Sequence, residues 1–200
     1  QTSGTTLSLY SIYFNDSQTG WAVGDFGTIL KTTNGGSSWS NQTSGTTHNL
    51  RSMHFTDAQN GWAVGYTDHQ WIYGTILKTS NGGSSWSSLN GNFFALSFVY
   101  FTDAQNGWVV DNYFGSILKT TNGGSSWTSQ TNDTTKQLES VHFTDAHTGW
   151  AVGEFGKILK TTNGGSSWTS QNSGTIQHLY SVHFTNAQTG WAVGYAGTIL

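Results

Sequence analysis

"SVHFTDAHTGWAVGEFGKILKTTNGGSSWTSQ", Ser140 to Gln171, is one unit of a pattern that recurs along the chain. Its Gly149-Trp150 pair has counterparts at Gly20-Trp21, Gly61-Trp62, Gly107-Trp108 and Gly190-Trp191, spaced 41, 46, 42 and 41 residues apart. A regular period of this length marks a repeat architecture, in which no unit buries its apolar faces alone. The 200 residues divide into repeats at approximately 7–47, 48–90, 91–135, 136–176 and 177–200, the last joined by 1–6, as one domain.

Apolar positions alternate within a unit instead of recurring at helical spacing. In "LYSVHFTD" from Leu179, Tyr180, Val182 and Phe184 share one side and Leu179, Ser181 and His183 the other, which is the period of a strand. "GWAVG" is short, aromatic and β-branched, and "GTILKTT" and "SSWTSQ" read as strands on either side of "NGG". Four strands, A to D, in about forty residues are the signature of a propeller blade. The expected fold class is all-β, a five-bladed β-propeller of four-stranded antiparallel blades. An open β-solenoid fits the inter-strand spacing poorly. Gln1 aligns with Gln42 and Gln171 near strand D, and Leu200 with Leu30 inside strand C, so N-terminal strand pairing with the C-terminal blade would close the ring and hide two edges. The last repeat lacks its own "KTTNGGSSW", and a segment of a longer repeat array is the alternative.

Composition narrows the function. Only 8% of residues are charged, the net charge is −3 and Arg51 is the sole arginine, so no phosphate-tracking basic face is expected and nucleic acid is not a partner. No apolar run is long enough for direct membrane insertion. The chain has no cysteine, which removes disulfides, thiol catalysis and thiolate metal sites. A Thr, Ser, Asn, Gln and Gly surface with few charges leans toward a secreted, extracellular or periplasmic bacterial protein.

"TTNGGSSW" at Thr32–Trp39 returns at Thr120–Trp127 and Thr161–Trp168, and as "TSNGGSSW" at Thr79–Trp86. On a C-to-D hairpin, Asn34 suits turn amides, Gly35 and Gly36 tolerate positive φ, and Trp39 lays an indole over the turn. The spacing T-x-N-x-G-x-S-W resembles the Asp-box, or bacterial neuraminidase repeat, with Asn where that motif often has Asp. The structural set is then Asn34, Gly36 and Trp39, with Asn81, Gly83, Trp86, Asn122, Gly124, Trp127, Asn163, Gly165 and Trp168 in the other copies. The whole unit is similar to the photosystem II stability and assembly factor-like propellers. That resemblance implies a non-catalytic binding or assembly module, with the box away from the ligand face. Asp57, Asp103 and Asp145 in "FTDAQNGW"-type segments read as A-to-B turn residues, with Asn186 at the matching place in the last repeat.

Enzyme chemistry lacks its parts. A sialidase needs an arginine cluster, and a glycosidase needs paired inner-strand carboxylates, where the A strands offer only Glu139. His54, His142 and His183 share a repeat position with Tyr13 and Tyr100, and were these positions to diverge around a ring they would not converge on one metal, so no metal or other cofactor is expected. Specialisation falls instead in the B-to-C loops, where repeat two has "GYTDHQWIYGT" and repeat three "DNYFGS". Asp68, His69, Trp71, Tyr73, Tyr113, Phe114 and Glu154 are the candidate ligand-binding residues on the B–C/D–A loop face, beside Tyr66, Phe26, Asp111 and Phe155. Such rings suit a protein or peptide partner, with glycan binding or a structural role in an array as alternatives.

Overall fold

Each repeat converts its alternating residues into an antiparallel meander. The computed structural model describes residues 2–67, 73–89 and 91–200. The chain divides into two units, Gln1–Phe101 and Thr102–Leu200. In the first, β1 (Leu9–Phe14), β2 (Gly20–Gly24), β3 (Ile29–Thr32) and β4 (Ser40–Gln42) pair in chain order. The next sheet runs β5 (Asn49–Phe55), β6 (Gly61–Tyr66), β7 (Gly74–Thr79) and β8 (Ser87–Ser88), and β9 (Leu96–Phe101) packs against β5 and β6. In the second unit, β10 (Gly107–Asp111), β11 (Ile117–Thr120) and β12 (Thr128–Ser129) pair antiparallel. A four-stranded sheet of β13 (Leu138–Phe143), β14 (Gly149–Gly153), β15 (Ile158–Thr161) and β16 (Thr169–Gln171) follows, then the pair β17 (Leu179–Phe184) and β18 (Gly190–Gly194).

The all-β, four-stranded expectation is met. The three compact B-to-C loops are single 3-10 turns, at Asp25–Gly27, Glu154–Gly156 and Tyr195–Gly197. Of residues 1–6, expected to supply a strand, the described residues 2–6 carry none.

The core lies between successive sheets. Trp21, Val23 and Ile29 of one repeat pack on Leu50, Met53 and Phe55 of the next, and Trp150 and Val152 pack with Ile158 on Leu179, Val182 and Phe184 in the second unit. Burying each of these side chains fully stabilises by roughly 1.5–3 kcal/mol. Period-2 alternation is what makes this stacking possible, because one strand presents large residues to both neighbours.

The octet closes the C-to-D hairpin with its own side chains. Asn163 Oδ1 accepts the Thr161 hydroxyl at 2.9 Å and the Ser167 N–H at 3.0 Å, while Asn163 Nδ2 donates to Ser167 Oγ at 2.9 Å. Thr161 Oγ1 also accepts the Gly165 N–H at 2.9 Å. The same network recurs around Asn34, Asn81 and Asn122. Gly164 N–H donates to His147 O of the A-to-B turn at 2.8 Å, so box and turn share one end of the sheet. Asp145 spends its carboxylate in that turn, accepting the His147 and Thr148 N–H groups at 2.7 and 2.9 Å, and these bonds hold it below its usual pKa. Asn186 makes the equivalent bonds in the last repeat.

Of the three histidines expected to diverge, His142 and His183 stack instead, while His54 stacks with tyrosines in the first unit. Tyr13, His54 and Tyr100 form a ladder with centroids 5.4 and 4.8 Å apart, and His142 and His183 lie at 4.6 Å, because equivalent A-strand positions stack between adjacent sheets. His142 Nδ1 accepts the Phe184 N–H at 3.3 Å, and among the described residues no group of His, Asp or Glu is arranged to hold a metal.

Candidate functional site

At the sheet end opposite the box, strand A begins with a bulge. Leu9 pairs with Gly24 but Ser11 pairs with Val23, leaving Tyr10 as the extra residue, and the same shift isolates Arg51, Glu139 and Tyr180. A bulge re-aims one side chain without moving the register of the others. Gly153 permits the close approach behind it: a Cβ there would lie 1.9 Å from Gln137 O. The bulged position is the most chemically varied place on strand A, with Tyr, Arg, Glu and Tyr among otherwise similar neighbours. Sequence alignment of the repeats could have found it, but alternation alone gave no sign that one residue is extra.

In the first unit the bulges create a small polar-aromatic cluster. Tyr10 donates its hydroxyl to Asp25 Oδ1 at 2.7 Å, and that bond holds the Asp25 carboxyl below its usual pKa and raises that of Tyr10. The Arg51 guanidinium lies 4.2 Å from the Tyr10 ring centroid and 5.0 Å from that of Tyr66, which is cation–π geometry. In the second unit, Tyr180 joins Phe155, Ile176, Gln177, His178 and Tyr195 around a hollow of about 420 Å³. Glu154 adjoins it, its carboxylate 4.0 Å from His178 Nδ1.

The loop phenylalanines point outward at a cost. Phe26 (φ 52°) and Phe155 (φ 54°) occupy the left-handed region yet are 68% and 57% exposed. For an L-residue this conformation costs roughly 1–2 kcal/mol, and Ala196 takes it too (φ 54°), so it belongs to the shared 3-10 turn and not to the ring. Lys136 Nζ lies 5.1 Å from the Phe155 ring centroid, so cation and ring meet on this face.

The other expected residues are distributed unevenly. Tyr113 and Phe114 are exposed and meet edge to face at 4.6 Å, and Tyr73 is exposed and bridges to Phe94. Asp68, His69 and Trp71 lie outside the described residues. Asp111 is not a ligand group: it is buried, and its carboxylate accepts the N–H groups of Tyr113, Phe114, Gly115 and Ser116, shaping the loop from within.

Residues 2–92 and 92–175 match the family model described as photosynthesis system II assembly factor YCF48. The chain belongs to that family. No curated protein is significantly similar to it. Among solved structures it resembles YCF48 bound to a D1 peptide, with 22% identity, TM-score 0.73 and coverage of 98% of this chain and 63% of that one. The chain thus spans 63% of the length of that relative. It also resembles the WD40 β-propeller domain of Doa1, with 11% identity, TM-score 0.74 and coverage of 98% and 65%. The GH74 xyloglucanase from Xanthomonas campestris is similar at 10% identity, TM-score 0.75 and coverage of 99% and 36%. At these identities the likeness is one of fold, the stacked four-stranded sheets of propellers.

Proposed function

We propose that this YCF48-family chain is a non-catalytic assembly module that recognises a peptide segment on its B–C/D–A loop face. The observation that carries the reading is the exposed Phe155 beside the Tyr180 and Tyr195 hollow, where three open aromatic rings and Ile176 gather on one loop face. Family membership supports a peptide as ligand, since a YCF48 structure contains a D1 peptide. In this reading Phe155, Tyr180 and Tyr195 take an apolar or aromatic side chain, and Glu154 with His178 orients its polar flank. Asp68, His69, Trp71 and Tyr73 of the first unit, and Tyr113 and Phe114 of the second, are the further contact candidates on loops of the same kind.

The test is a peptide-panel titration followed by Phe155→Gly. Expected is a loss of affinity of about tenfold or more, the range for an aromatic anchor, with stability unchanged or raised as strain is relieved. Unchanged affinity, or a marked drop in stability, would remove the support for this site. A second reading, glycan binding, draws on the same open rings, which suit sugar faces, and sugar titration separates the two. Each repeat is one blade in this proposal. Closure by residues 1–6 is one way to cover the first and last of five blades, and association is another. Service in a secreted bacterial array rests on the low-charge, cysteine-free composition.

A further inference from the structure

Each box carries a dipeptide prone to lose its amide. Asn34-Gly35, Asn81-Gly82, Asn122-Gly123 and Asn163-Gly164 are asparagine–glycine pairs, and glycine, having no Cβ, leaves the asparagine side chain free to approach the next main-chain nitrogen. Once that nitrogen gives up its proton it attacks the asparagine Cγ. The Cγ–Nδ2 bond breaks, ammonia leaves and a five-membered succinimide forms. Water then opens the ring. Opening at Cγ leaves aspartate, and opening at the main-chain carbonyl leaves isoaspartate, whose backbone is one carbon longer.

The folded box holds both reacting groups. Gly164 is buried, and its N–H, which carries the proton that must leave, donates to His147 O at 2.8 Å. The Gly35, Gly82 and Gly123 N–H groups donate to Gln18 O, Gln59 O and Gln105 O, each at 2.9 Å. The amide is held from the other side. Asn163 bonds Thr161 and Ser167 through Oδ1 and Ser167 again through Nδ2, and Asn34, Asn81 and Asn122 copy the pattern. These bonds fix the side-chain torsions, so Cγ does not swing onto the glycine nitrogen. The hairpin is also tied to a neighbouring repeat within each unit: Gly164 O accepts Trp108 Nε1 at 3.3 Å, and Gly82 O accepts Trp21 Nε1 at 3.2 Å and Lys31 Nζ at 2.6 Å. The asparagines are exposed, yet freeing either reacting group means breaking hydrogen bonds on both sides of the Asn-Gly bond.

We propose that the four box asparagines are latent modification sites, closed to succinimide formation while the hairpin is intact and converted to aspartate or isoaspartate, with loss of ammonia, when it opens. The two products have opposite fates. Aspartate keeps the Oδ1 acceptor, and the box forms again. Isoaspartate lengthens the backbone inside a hairpin whose Asn163-to-Ser167 and Thr161-to-Gly165 bonds fix its span, and that box does not close.

The experiment follows the full chain at mildly alkaline pH, folded in buffer and unfolded in guanidinium chloride, by peptide mapping with mass spectrometry that distinguishes the two products. In the folded chain each box asparagine should convert at least about 30-fold more slowly than in denaturant, as for a site that reacts only through local opening. Thr161→Val removes the hydroxyl that bonds Asn163 Oδ1 and the Gly165 N–H, and should speed conversion at Asn163 about tenfold while Asn34, Asn81 and Asn122 keep the parent rate. Ser167→Ala, at an exposed position, is the milder second variant and should speed the same residue alone. Circular dichroism and melting verify that both variants fold. When chains converted in denaturant are refolded, aspartate boxes should appear in the folded fraction and isoaspartate boxes in the fraction that fails to refold. Equal rates in buffer and denaturant would overturn the proposal. So would folded variants that speed no box or all four alike, or isoaspartate boxes in the folded fraction.

Discussion

Replacing Phe55 by alanine should cost far more than the same change at Phe14, although the two occupy the same position of successive repeats. Phe55 is fully buried, with its ring 3.8 Å from that of Trp21, 5.9 Å from Tyr13 and 5.9 Å from Trp86. Truncation removes its transfer energy, leaves a cavity in a close-packed junction and abolishes three ring contacts, for a cost of about 3–5 kcal/mol. Phe14 is 40% exposed and keeps an edge-to-face contact with Trp39 at 6.1 Å. Its removal vacates little enclosed space, and about 1–1.5 kcal/mol is expected from the partial burial and the single ring pair. For a chain of this size 1 kcal/mol moves Tm by roughly 2–4 °C, so the shifts should be about 6–20 °C for Phe55→Ala and about 2–6 °C for Phe14→Ala. Both are measured by thermal and denaturant unfolding. Equal losses at the two positions would refute the claim that the junction stack, not the residue type, supplies the stability.

The box should respond to geometry and not to charge. Asn163→Ala removes three hydrogen bonds from a solvent-exposed turn and should lower stability by about 1–2 kcal/mol, whereas Asn163→Asp, which keeps the Oδ1 acceptor and lets the Ser167 hydroxyl turn to donate to the second carboxylate oxygen, should lie within about 0.5 kcal/mol of the parent on denaturant titration. His142 is held to a pKa of about 4, first by burial and then by the neighbouring His183. The unfolded chain therefore binds a proton at His142 before the folded one does, and stability should fall as pH drops from about 6.5 to about 4. His142→Gln should flatten that part of the stability–pH curve. Arg51→Lys should weaken peptide binding to the first unit if its loop face is used, because an ammonium cannot reproduce a planar group set between Tyr10 and Tyr66, and calorimetry with matched melting curves reads this directly.

The repeat was legible because its information is local and copied. Trp150 and Phe184 announce strands by alternation, and Gly164 and Gly165 announce the hairpin by composition. Position 10 was not legible: whether Tyr10 points with Leu9 or against it depends on a pairing shift with Gly24 and Val23 that no period-2 count records. Asp111 misled for a related reason. Its neighbours Tyr113 and Phe114 mark an exposed loop, but four backbone N–H groups turn its carboxylate inward. The His142 and His183 stack was hidden because it joins residues a whole repeat apart.

The bulge separates two tasks that usually compete for the same residues. An unpaired position can change from tyrosine to arginine to glutamate while the ladder around it keeps its register, as Tyr10, Arg51 and Glu139 already do. Such a surface can be rewritten one repeat at a time, and a new specificity could be composed by choosing one side chain per repeat without redesigning the protein that carries them.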